Sequence, residues 1–102
     1  MVRFEWDPSK AQLNLKKHAV AFDDAICVFE DPYALLSQDR VNPSGEPSWQ
    51  AIGMVSGLVV LLVAHTIRDQ GEDEVIRLIS ARQATRKEKQ FYEGNRAKDF
   101  EF

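Results

Sequence analysis

Cysteine is nearly absent from this chain, and its scarcity removes several functions at once. Cys27 is the only one in 102 residues, so no internal disulfide can form, and a lone thiol suits neither a zinc site nor a redox pair. It is expected to serve as a small buried side chain. The two histidines, His18 and His65, are far apart, and no paired acids share a helical spacing with either, so nothing calls for a metal or cofactor. Glycine is sparse, and Gly53 and Gly57 fall in a hairpin rather than a phosphate-cradling loop. The longest apolar stretch, Ala51 to Ala64, is interrupted by Ser56-Gly57 and is too short to cross a bilayer as a helix. Arg3, Glu5 and Asp7 break up the first residues, which argues against a secretory signal and makes the cytoplasm the expected compartment.

What is present suffices for one compact core. With 44% hydrophobic and 28% charged residues, the chain is expected to form a single domain over 1–102, with 94–102 as a loosely held tail. The formal net charge is −3, yet residues 76–98 carry seven Lys and Arg against Glu88 and Glu93, a local balance of +5. For phosphate binding the local surface matters more than the total.

The pattern predicts an α+β fold: a small antiparallel sheet, two N-terminal helices and one C-terminal helix. Phe4-Glu5-Trp6 alternates as an edge strand does. Asp7-Pro8 opens a helix to about His18, with Ala11, Leu15 and His18 on its buried face. Asp23 or Asp24 caps a second helix, whose Phe22, Ala25, Ile26 and Phe29 face inward before Asp31-Pro32 stops it. A strand over Tyr33–Ser37 and a polar loop over Gln38–Pro47 follow. Strands Ser48–Met54 and Leu58–Thr66 form a hairpin, and the acidic tip at 69–73 turns the chain into a strand over Val75–Ala81. Thr85 and Glu88 stand as a capping box, starting the last helix near Arg86. Its apolar side is thin: Phe91, with Tyr92 second.

The stretch from Glu74 to Tyr92 is the candidate working region, a strand passing into a helix with arginines at the strand, the junction and the helix start. Symmetric hairpins would set His65 opposite Arg77 and Ser48 beside His65, a polar row across three strands. Each candidate also has a plain structural reading. A lone histidine in an apolar strand is ordinarily a satisfied structural group. Arg77 suits a salt bridge as well as a phosphate. Arg82 favours function, because a cation before a helix N-terminus opposes the dipole unless an anion is present. Arg86, Lys87 and Lys89 suit a solvated helix face. Lys17-His18 suits a helix end, where cations meet the dipole favourably. Trp49 is either core or a stacking platform for a base.

Phe4-Glu5-Trp6-Asp7, Lys10-Ala11, Asn14, Lys17-His18, Val20, Phe22, the Ala51-Ile52-Gly53 strand, and above all Ile79-Ser80-Ala81-Arg82-Gln83-Ala84-Thr85 with Glu88 and Tyr92 resemble, in order, the BrnT family. The resemblance implies a RelE-like fold and a ribonuclease toxin of a type II toxin–antitoxin system. Such a toxin cuts messenger RNA without a metal and is neutralised by a BrnA-type antitoxin, in a dimer or a heterotetramer. Operator DNA is contacted only through that complex, consistent with the absence of a helix-turn-helix here. On this reading Arg77 and Arg82 meet the phosphate, His65 transfers protons, Arg86 and Lys17 hold the backbone, and Trp49 or Tyr92 stacks on a base. The rival reading is a weakly active binding module whose basic face docks a partner. Two departures from the family bear on the choice. Ala19 stands where glycine usually follows Lys-His, and Ser48 stands where an arginine usually precedes the aromatic.

Overall fold

The computed structural model describes the backbone of residues 1–41, 45 and 47–98. Asn42-Pro43-Ser44 and Glu46 of the expected loop, and Phe100 and Phe102 of the expected tail, lie outside the described residues. The elements run β1 (Val2–Glu5), α1 (Pro8–His18), α2 (Phe22–Ala25) with a 3-10 turn over Ile26–Glu30, β2 (Leu35–Val41), β3 (Pro47–Val55), β4 (Val59–Gln70), β5 (Asp73–Gln83) and α3 (Arg86–Lys98). Among the described residues, no helix is long and apolar enough to cross a membrane.

Local chemistry fixes the ends of α1. The Asp7 side chain accepts the Ser9 N–H at 2.8 Å, and Pro8 occupies the first helical position. The helix closes on Ala19, which takes the left-handed conformation at φ 58° and donates its N–H to Leu15 O at 2.9 Å. The buried face of α1 differs from the expected one: Asn14 is buried, whereas Leu15 is 53% exposed. Burying an amide needs partners. Asn14 has three, donating to Val20 O and Ala81 O and accepting the Ala81 N–H.

The second helix is shorter than expected, and its cap is Ala21, without a side-chain bond. Asp23 and Asp24 lie in its first turn instead. The chain then tightens into the 3-10 turn, and Asp31 ends it by accepting the N–H of Tyr33 at 2.9 Å and of Met54 at 2.8 Å.

The sheet has the order β1-β5-β4-β3-β2, and β1 runs parallel to β5. It is therefore mixed, where a fully antiparallel sheet is expected, because the helices carry the chain from β1 to the opposite edge at β2 and the antiparallel run from β2 to β5 ends alongside β1. Strands β2, β4 and β5 are longer than their apolar runs suggest, since charged ends such as Arg68-Asp69-Gln70 still pair across the tip.

One face of the sheet carries α1, α2 and the 3-10 turn, while α3 lies against the other, where its Glu88 meets Arg82 and its Arg96 meets Met54. From β3, β4 and β5 the first face presents Ala51 and Val55, Leu61 and Val63, and Ile76, Leu78 and Ala81, packed with Val20, Phe22, Ala25 and Val28. Fully buried side chains such as Val28, Val63 and Leu78 contribute about 1.5–3 kcal/mol each. Gly53 allows that closeness: a Cβ there would sit 2.9 Å from Val28 Cγ1 and 3.1 Å from its carbonyl oxygen.

Candidate functional site

The register of β4 against β5 decides which side chains can meet. Thr66 pairs with Arg77, Ala64 with Ser80 and Leu62 with Arg82, and the register shifts between Ala64 and His65, leaving Ile79 as an extra residue. Thr66, Ala64 and Leu62 alternate onto the face opposite the core, so Arg77, Ser80 and Arg82 share that second, open face; α3 covers part of it, and Thr66 and Leu62 are buried beneath the longer side chains. Without the bulge, alternation would send Arg77 and Arg82 to opposite faces.

The same register breaks the expected polar row. His65 pairs with Leu78 on one side and Trp49 on the other, not with Arg77 and Ser48. A one-residue slip in each hairpin reverses the faces. His65 is therefore fully buried on the core side, with its ring edge-on to Phe29 at 4.9 Å. Its Nδ1 lies 3.1 Å from Val63 O, and a carbonyl only accepts, so Nδ1 carries the proton. Nε2 has no partner among the described residues. Burial holds the imidazole below its ordinary pKa, against the Val63 bond, which acts to raise it. This is a core histidine, with none of its surface exposed.

Arg82 has the anion that its place before a helix requires, and the chain supplies it. Its Nη1 and Nη2 reach Glu88 Oε1 and Oε2 at 2.8 and 3.0 Å, and Nη1 also donates to Gln83 O at 3.2 Å. Glu88 closes the expected capping box as well, accepting the Thr85 N–H at 2.8 Å while Thr85 Oγ1 accepts the Glu88 N–H. The arginine bond is the main reason the Glu88 pKa falls to about 2, with burial opposing it. A guanidinium has five N–H donors. Three are used here, which leaves the Nε–H and one Nη2–H, side by side on the edge of the fork.

Arg77 faces Glu5 Oε2 at 3.6 Å, and the other oxygen of Glu5 accepts from Arg68. Glu5 thus stands between two guanidinium groups on the open face. A second basic feature adjoins β5 where β1 ends: a groove of about 490 Å³ lined by Lys10, Asn14, Lys17, His18, Ile79 and Ser80, among others. Ser80 belongs to both the groove and the open face.

The remaining candidates are scattered. Arg86 is exposed at the first position of α3, and Lys17 is exposed in the last turn of α1. Trp49 is half-buried across from His65, on the core side. Tyr92 is fully buried, while Phe91, expected to anchor α3, is 66% exposed. The Tyr92 hydroxyl donates to Asp31 Oδ2, and burial, then that carboxylate, pushes the phenol up to about 12. Beside it, Arg96 lies over the Tyr33 ring at 5.1 Å, and Cys27 lines the same cleft, half-buried rather than in the core. Tyr92 is an anchor for α3, with no free ring face for a base.

Two groups escape the sequence reading. Nothing in the sequence marks Glu5 as a partner of Arg77, 72 positions away. Lys10 joins Lys17 on the groove because Lys10, Asn14 and Lys17 follow helical spacing, which the sequence does contain. Among the described residues no group of three metal-ligating side chains occurs.

Residues 6–88 match the family described as the ribonuclease toxin, BrnT, of type II toxin–antitoxin systems. No curated protein matches. Among solved structures, the 1.1 Å crystal structure of the Brucella abortus ribonuclease toxin, BrnT, is similar, with a TM-score of 0.60 at 24% identity. It covers 84% of this chain and 100% of that one. At that identity the likeness is one of fold.

Proposed function

The chain belongs to the family of BrnT ribonuclease toxins of type II toxin–antitoxin systems, and from that premise we propose that it is a metal-independent endoribonuclease acting on messenger RNA through the open face of its sheet. The observation that carries this reading is the bulge at Ile79, which gives Arg77 and Arg82 a common face. In such a reaction the RNA 2′-hydroxyl attacks the adjacent phosphorus. It forms a 2′,3′-cyclic phosphate and expels the 5′-oxygen, which takes a proton from water.

The two remaining N–H groups of Arg82 suit two non-bridging phosphate oxygens, the fork geometry that makes arginine a phosphate ligand. Arg77 supplies the second cation to the developing charge. Glu5, set against Arg77, is the carboxylate assigned to take the 2′-hydroxyl proton. Lys17 and Lys10 in the adjoining groove, with Arg86 beyond the junction, hold the flanking backbone. The fold is read as RelE-like, the compartment as cytoplasmic, and the neutralising partner as a BrnA-type antitoxin, operator DNA being met only through their complex.

Purified parent and Arg82→Ala protein incubated with messenger RNA in chelator should differ, the parent cutting and the variant losing most of the rate. Equal rates from two folded proteins would remove the assignment.

A second reading, a weakly active binding module, draws on one observation: both arginines already hold carboxylates of their own chain. Ser48, where an arginine is usual, points the same way. Induction without antitoxin separates the two, since a binding module leaves growth and RNA intact.

A further inference from the structure

Helices α1 and α2 and the 3-10 turn do not cover the whole of their face of the sheet. Past the end of the 3-10 turn a groove of about 330 Å³ remains, walled by Phe4, Phe29, Leu36, Ile67 and Ile76 and bordered by Glu30 and Glu74, with Val2 at one end. Val2 and Leu36 are 50% and 57% exposed, from strands at opposite edges of the sheet. Large side chains gathered at an open groove mark an interaction surface more than single exposed ones do.

Charge selects the occupant. No lysine or arginine lines the groove, both of its ionisable residues are acidic, and neither carboxylate has a cation partner among the described residues. Nucleic acid is repelled here, in contrast to the open face and the lysine groove. A second copy meeting the groove about a two-fold axis would set Glu30 and Glu74 against themselves, which disfavours self-pairing. A protein segment that inserts apolar side chains and answers the rim with Lys or Arg satisfies both the walls and the border.

We propose that this groove docks an apolar, basic segment of the antitoxin, on the face of the sheet opposite Arg77 and Arg82. The proposal rests on the toxin–antitoxin reading above and adds where the partner anchors and with what side chains. RNA contact and antitoxin anchoring then use separate faces of one sheet. Substitutions on one face leave the other function in place.

The test is calorimetric binding of the antitoxin of its own system to the full chain and to two variants, Leu36→Glu and the Glu30→Lys/Glu74→Lys pair. Circular dichroism checks that each is folded, and both changes fall on exposed positions. Leu36→Glu is expected to weaken binding by about tenfold or more, as loss of an anchoring apolar contact does. The charge reversal is expected to weaken it most at low salt and less as salt rises. Both variants, free of antitoxin, should cut RNA at the parent rate. Binding within twofold of the parent for both variants, or no binding by the parent, overturns the proposal. So does a parent dimer in sedimentation that Leu36→Glu dissolves while antitoxin affinity is unchanged. Absence of RNA cleavage by the parent would remove the ribonuclease reading alone, because the docking readout is binding.

Discussion

Arg77 and Arg82 project from the same face of the sheet although they stand five positions apart, because the bulge at Ile79 absorbs one step of the alternation. If both cations hold one phosphate region, their losses are coupled. Arg77→Ala and Arg82→Ala are each expected to lower kcat/KM for RNA cleavage by about 10²–10³-fold, the scale for removing one charge-stabilising donor. The double variant should fall short of the product of the two. Measured rates that multiply independently would show that the arginines serve different parts of the RNA.

Ala19 holds φ 58° at the end of α1, a conformation that costs a side chain about 1 kcal/mol relative to glycine. Ala19→Gly should therefore stabilise the protein, though by less than that full amount, because glycine also loosens the unfolded chain. The check is chemical denaturation at constant m-value. An unchanged or lowered midpoint would show that the helix end tolerates alanine without strain.

Asp31 ties three elements together. It accepts from the Tyr92 hydroxyl on α3, the Met54 N–H on β3 and the Tyr33 N–H after the 3-10 turn. Burial acts to raise its pKa, but these bonds and the charge of Arg96 outweigh it, and the carboxyl stays below its ordinary value. Tyr92→Phe should cost about 1 kcal/mol, one hydrogen bond. Asp31→Ala should cost about 2–4 kcal/mol, since it strands several donors at once. Because the folded pKa of Asp31 is depressed, its contribution is present above the ordinary carboxylate range and fades as pH falls through the folded value. Asp31→Ala should accordingly show a shallower loss of stability in acid than the parent. Parallel acid curves for the two proteins would contradict this.

Locally determined features were legible and those depending on distant partners were not. The Asp7-Pro8 start of α1 and the Thr85–Glu88 box need only a few neighbouring residues, and both form as the chain pattern implies. Apolarity alone favours Phe91 over Tyr92 as the anchor of α3, because the partner of the Tyr92 hydroxyl, Asp31, is 61 residues away. Asn14 was hidden for the same reason: its partner Ala81 is 67 residues away, and a polar residue in a helix reads as solvated until that edge is known. The bulge left no mark, since Ile76, Leu78 and Ile79 are apolar and either phase of alternation fits them. The candidate cations are legible in the sequence, but which of them share a face depends on that single extra residue.

His65 offers a test in which stability and chemistry part company. Its buried, neutral ring has a folded pKa depressed below the ordinary 6.5, so the unfolded chain takes up a proton first as pH falls. Its contribution is full above about pH 6.5 and is lost progressively below it. Urea unfolding of the parent should show stability declining from pH 7 towards pH 5. His65→Leu, similar in volume and free of the unpartnered Nε2, should lose that part of the slope and hold close to the parent stability at neutral pH. Since the ring is fully buried against Phe29 on the core side, with Trp49 and Leu78 as its cross-strand neighbours, the same variant should cut RNA near the parent rate at pH 7.5. A folded His65→Leu protein with cleavage abolished would mean that the imidazole reaches the substrate in the working complex. Proton transfer would then have to be reassigned from Glu5 to His65.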